Sequence, residues 1–182
     1  MNPEEQESAA AETANPFVAV DVVRILREHG GWLAGEISPE QTAWCERAAN
    51  FLGPHAGDAA ALTELIGLIF EYDAQEILGR VESHIVLSRV GAREVLRRLA
   101  LYLLDGEALN SARFSEIISQ MKENVEIRGR DLFHTVRLAL AGRAGGGELD
   151  RVILLVDEAA AGFGSAVKTT RARILEFCGT LD

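Results

Sequence analysis

Lysine is nearly missing from this chain. Of eighteen basic residues in 182, only Lys122 and Lys168 are lysines. Neither follows a glycine, which excludes a Gly-Lys-Ser/Thr phosphate cradle. Cysteine is limited to Cys45 and Cys178, far apart and without CxxC spacing, and the four histidines are scattered. A structural zinc site needs more ligands at closer spacing, so no metal or other cofactor is expected. Both thiols read as buried groups in a reducing compartment. No apolar run reaches the roughly 18 residues of a membrane span. The polar, acidic start does not read as a signal peptide. The expectation is a soluble, cytoplasmic protein with no membrane partner. Proline (four residues) and aromatics (6%) are also scarce, so the core must come from Leu, Ile, Val and Ala.

What is present points to helix. The composition is 48% hydrophobic and 25% charged, that of a folded chain able to bury one domain or two small ones. The Ala, Leu, Arg and Glu bias favours helix over sheet. The expected class is all-α: a helical bundle in two packed subdomains. A formal net charge of −10 opposes phosphate binding over the surface as a whole. The charge is unevenly spread. Residues 1–14 hold four glutamates and no basic side chain, whereas residues 111–182 balance eight Arg and two Lys against ten carboxylates. A local basic face is therefore possible in the C-terminal half.

Residues 1–14 form a polar lead expected to be disordered. Asn15-Pro16 supplies a cap and first-turn proline for a helix through Glu28, ended by Gly30-Gly31. Ser38-Pro39-Glu40-Gln41 repeats that signal with a capping box, and Trp44, Ala48, Phe51 and Leu52 follow at helical spacing up to Gly53-Pro54. Trp44 reads as an interior face. Asp58 caps a helix carrying Leu62, Leu65, Ile66, Ile69 and Phe70. Tyr72-Asp73 breaks it, and 74–88 holds one or two shorter helices. His84 reads as a packed or surface residue. A long apolar helix covers 92–104, and Asn110 or Ser111 caps a helix with Phe114, Ile117, Ile118 and Met121 on one face. The expected units are a lead at 1–14, a helical subdomain of unassigned role at 15–88 and a second helical domain at 89–182.

The remaining stretch, 128–158, organises the chain. It opens on the turn Arg128-Gly129-Arg130, runs through Arg137 to the loop Gly145-Gly146-Gly147, and ends in an apolar run closed by Asp157 and Glu158. One alternative makes 152–158 the acidic strand of an ATP-hydrolysing enzyme. That chemistry lacks its phosphate loop here, since Glu148 follows the glycines, and nothing else reads as a strand–helix–strand unit. A buried helix over 148–160 fits equally well by pattern and better by context, with Glu148 and Asp150 suited to its first turn.

The run Leu132-Phe133-His134-Thr135-Val136-Arg137-Leu138-Ala139-Leu140-Ala141-Gly142 resembles the anticodon-binding region of bacterial glutamyl-tRNA synthetases. That family reads Leu-Phe, three residues, Arg, two residues, Leu-Thr-Gly, then a short loop and a helix. The resemblance covers about 93–158. It implies an all-helical domain that grips the anticodon arm of a tRNA. It also implies Arg137 as the principal cation and Leu149 as a loop leucine packing on a base. Arg143 is an extra loop cation for phosphate, and Arg128 and Arg130 would neutralise nearby phosphates. Single-stranded RNA is read by cations and by backbone that unstacked bases can approach, which suits these residue types.

The chain departs from the family at Ala141 (threonine there), Gly146 (threonine) and Gly147 (proline). Three glycines imply a mobile loop with less side-chain shaping of a base pocket. The family's catalytic signatures, His-x-Gly-His and Lys-Met-Ser-Lys-Ser, are absent, since no two histidines are three apart and two lysines cannot build the loop. The expectation is a tRNA-binding module without aminoacylation of its own, working beside a separate synthetase catalytic chain or as a regulatory paralogue. The alternative is an interaction protein that has lost RNA binding, and a less favoured one is the ATPase.

Overall fold

A computed structural model describes residues 15–182, and the expected polar lead lies outside the described residues. Ten α-helices and no strand occur among them. In chain order these are α1 (Ala19–Glu28), α2 (Pro39–Leu52), α3 (Ala59–Phe70), α4 (Ala74–Leu78), α5 (Val81–Leu87), α6 (Ala92–Leu103), α7 (Ser111–Asn124), α8 (Gly129–Ala141), α9 (Glu148–Phe163) and α10 (Thr170–Leu181). The all-α expectation holds. The chain divides into two compact units between Ile66 and Gly67, inside α3, and the turn at residue 88 lies within the second unit.

In the first unit α1 packs on α2. The capping box at Ser38 forms as expected: Gln41 N–H donates to the Ser38 hydroxyl at 3.1 Å, and Ser38 N–H donates to the Gln41 amide oxygen at 3.0 Å. The start of α1 differs from expectation. The helix begins at Ala19, and Asp21 accepts from Val18 N–H at 2.9 Å. Asn15 accepts from Phe17 N–H and donates to the Ala49 carbonyl at 3.0 Å, so it ties the strand-like lead-in to α2 instead of capping α1. Trp44 and Cys45 are fully interior, as a helix-face reading of Trp44 requires. Burial pushes the Cys45 thiol up to about 11, the behaviour of an inert structural cysteine. Cys178 is only half-buried.

The second unit is built around α8, which packs against α5, α6, α9 and α10. Leu132, Thr135, Val136, Leu138, Ala139, Leu140 and Ala141 are all buried, a pattern wide enough to make α8 an interior helix. It ends at Gly142 with φ +83°, a left-handed cap that a side chain would strain.

One buried cation joins the helix ends of this unit. Arg173 on α10 has no exposed surface. Its guanidinium donates to the carbonyls of Leu68 (3.0 Å), Ile69, Leu140 (2.9 Å) and Lys168 (3.0 Å) and lies 4.7 Å from the Tyr72 ring centroid. Leu68 and Ile69 belong to the last turn of α3, and Leu140 to the last turn of α8. These are the carbonyls an α-helix leaves unpaired, at the negative end of its dipole. Two helix ends thus supply the counter-charge that a buried guanidinium needs, although burial still lowers Arg173 from its ordinary value to about 10. The Tyr72 hydroxyl donates to the Ala139 carbonyl beside it, and burial raises its pKa.

Candidate nucleic-acid interface

The resemblance placed its residues on α8, the following loop and the start of α9, and these elements form one hairpin in the second unit. Residues 152–156 are helical within α9, which runs from Glu148 to Phe163 and so extends past the expected end near 160. No strand is there to hold a metal, and Asp157 has a different task. Its carboxylate accepts from Thr170 N–H and hydroxyl, both at 2.7 Å, and from Leu109 N–H at 2.8 Å. It anchors the first turn of α10. The ATPase alternative is overturned.

Arg137 is turned inward. Its Nε and Nη2 fork onto the two Asp150 carboxylate oxygens at 2.8 and 2.9 Å, and Nη1 donates to the Gly145 carbonyl at 2.8 Å. The guanidinium carbon sits 4.9 Å from the Phe133 ring centroid, and the side chain is 12% exposed. A bidentate fork is the strong form of this pairing and uses the planar geometry that lysine lacks. In this conformation Arg137 holds the glycine loop against α9, with three of its five N–H donors spent on Asp150 and Gly145.

Leu149 is likewise inward, 3% exposed, with Cδ1 so close to Gly145 that a Cβ there would approach within 2.9 Å. In this conformation the Leu149 side chain supports the loop from beneath.

The glycine loop, expected to be mobile, is tied at several points. The Arg80 guanidinium donates to the Gly142 carbonyl at 3.1 Å, Ala144 N–H donates to Glu82 at 3.3 Å, and Gly146 N–H donates to Glu148 at 3.3 Å. Gly142 is the loop glycine with positive φ; Gly145, Gly146 and Gly147 are not. Gly147 has φ −64° and open space where a Cβ would stand.

Arg128, Arg130 and Arg143 are exposed. They do not form one cluster. Arg128 and Arg130 lie at the start of α8 and Arg143 just past its end, a separation of about 20 Å for a 13-residue helix. Arg143, Gly147 and the Arg137-held loop come together at the C-terminal end. Sequence reasoning missed Asp150, Arg80 and Glu82, which fix the loop. Asp150 was visible as a first-turn acid, but its pairing with Arg137, thirteen residues away, follows from the hairpin and not from local spacing. A further partner of α8 is Arg89, which meets His134 Nδ1 at 3.1 Å and Asp131 at 3.0 Å. Desolvation, then the nearby Arg89, Arg130 and Arg137 charges, lower the His134 pKa. Among the described residues, no group of His, Cys, Asp or Glu could hold a metal ion, and no helix is long and apolar enough to cross a membrane.

The site is thus a loop hung between two packed helices, with exposed arginines at both ends of the first. The sequence profile of the anticodon binding domain matches residues 10–160, and the chain belongs to that family. Over 140 residues it is 24% identical to glutamate–tRNA ligase 2 of Syntrophus aciditrophicus (strain SB), a match covering 77% of this chain and 28% of the relative. The chain thus spans under a third of that relative's length. No solved structure matches.

Proposed function

We propose that this chain holds the anticodon arm of a tRNA as a separate module, with no aminoacylation of its own, beside a synthetase catalytic chain or as a regulatory paralogue. The observation that carries the reading is the family membership over 10–160, which includes α8, the loop and α9 as far as residue 160. Arg143 supplies phosphate contact at the loop, and Arg128 and Arg130 supply it at the far end of α8. Arg137 and Leu149 act as positioning residues: they fix the backbone of 142–148 that an unstacked base would approach. Gly147 leaves that approach open.

A second reading has its own support. The principal cation is consumed by Asp150, the loop leucine is buried, and the net charge is −10. These fit an interaction protein that kept the fold and gave up RNA.

Titration of the protein with unfractionated tRNA at two salt concentrations decides between them. Binding that weakens steeply with salt, and weakens further in Arg143→Ala, is the expected result, because phosphate contacts release counterions. Absence of binding at low salt would establish the second reading.

A further inference from the structure

A groove between α7 and α8 holds none of the RNA-contact residues the resemblance assigned, although Phe133 of its motif forms one wall. It has a volume of about 260 Å³ and is lined by Phe114, Ser115, Ile118, Ser119, Lys122 and Phe133. Ser115, Ile118, Ser119 and Lys122 follow at i, i+3, i+4 and i+7, so they form one stripe on α7. Phe114 and Ile118 are buried and make an apolar floor. The serine hydroxyls and the Lys122 ammonium make a polar wall. No carboxylate lines the groove.

The opposite wall is Phe133, half-buried, with Lys122 Nζ 5.5 Å from its ring centroid. Lys122 has no carboxylate within ion-pair distance among the described residues, unlike Arg80, Arg89 and Arg137 around α8. On α8, Arg130, Phe133 and Arg137 are spaced i, i+3 and i+7 and share one face. The groove therefore sits between the Arg128–Arg130 end and the Arg143 end of α8. It lies beside Phe133, roughly 5 Å along the helix axis from Arg130 and roughly 15 Å from Arg143.

From this placement we propose that the α7–α8 groove is a nucleotide subsite for single-stranded RNA, resting on the tRNA-binding reading above. A backbone phosphate sits on Lys122 with the Ser115 and Ser119 hydroxyls as donors, and its base or ribose lies on the Phe133 side of the groove. The combination of a cation, hydroxyl donors, an aromatic wall and an apolar floor is the donor set single-stranded RNA requires. Arg130 and Lys122 then make neighbouring phosphate contacts at the start of α8, and the strand runs from there toward the loop at Gly147 and Arg143.

The test uses the same tRNA titration on the whole chain with Lys122→Ala, Lys122→Arg and Ser119→Glu, all exposed positions, with far-UV circular dichroism as a check on folding. Lys168→Ala serves as the control for loss of a lysine elsewhere. Lys122→Ala is expected to weaken binding several-fold and to lower the magnitude of the log–log salt slope by about 0.7, the value for one single-strand phosphate contact. Lys122→Arg restores the slope, and Ser119→Glu, which puts a carboxylate in the groove, weakens binding further. Wild-type binding with an unchanged affinity and slope in Lys122→Ala overturns the subsite and leaves the module reading standing. If the wild type binds no tRNA at low salt, both fall.

Discussion

Arg173 carries the heaviest structural burden of any single side chain in the second unit. Replacing it by methionine keeps much of the volume but strands the carbonyls of Leu68, Ile69, Leu140 and Lys168 in a site closed to water. Each unmet buried acceptor costs about 1–3 kcal/mol. Arg173→Met is therefore expected to lose more than about 3 kcal/mol, seen as a large fall in midpoint in a urea melt followed by circular dichroism, and Arg173→Lys recovers little because three donors on a flexible stem cannot reach four carbonyls. His134 makes a second prediction at this scale. Its folded pKa is depressed, so between the ordinary histidine value and the folded one the unfolded chain binds the extra proton. Stability associated with this group is thus present above about pH 6.5 and declines as pH falls. The His134 ring protons should titrate below the ordinary histidine midpoint in an NMR titration, and Arg89→Gln should move that midpoint up. Neither residue was legible in the sequence as a structural node. Arg173 is one of many arginines on a helix, and two of its carbonyl partners, Leu68 and Ile69, lie about a hundred positions away in the chain.

At the level of elements, the helices were readable because their stop and start signals are local. Ser38, Asp58, Asp73 and Asn110 all cap the helices that follow them. The exceptions have physical reasons. Asn15 spends its side chain on Ala49, and the apolar run at 152–156 satisfies a helix and a strand pattern equally until its neighbours are known. The glycine loop was misjudged because composition reports freedom, whereas Arg80, Glu82, Arg137 and Glu148 each place a bond on it. Two substitutions test this. Gly147→Pro matches the native φ of −64° and is expected to raise stability by about 0.4–1 kcal/mol by restricting the unfolded chain. Gly145→Val drives a side chain into Leu149 and is expected to lower the melting temperature. Calorimetry on both variants checks the pair. If Gly147→Pro melts lower, the loop geometry described above is wrong.

For the whole molecule, the helical class and the family were both legible: the first from composition and capping, the second from the Leu-Phe…Arg…Gly run. The candidate site was half legible. Residue types at 137 and 149 drew attention to this hairpin, but which way their side chains turn depends on Asp150 and Gly145, brought near only by folding. The same logic governs the tRNA titration. With a net charge of −10, binding can come only from local cations against a repulsive mean field, so its salt slope should be modest, near 0.7–0.9 per phosphate contacted, and loss of one contact should be resolvable.

The Arg173 arrangement also sets an order of events during synthesis. The carbonyl ends of α3 and α8 emerge from the ribosome long before α10, and until then they have water as their partner. While residues 67–163 alone are outside the ribosome, the carbonyls of Leu68, Ile69 and Leu140 lack the Arg173 donors that pair them in the folded unit, even though that segment holds the entire hairpin.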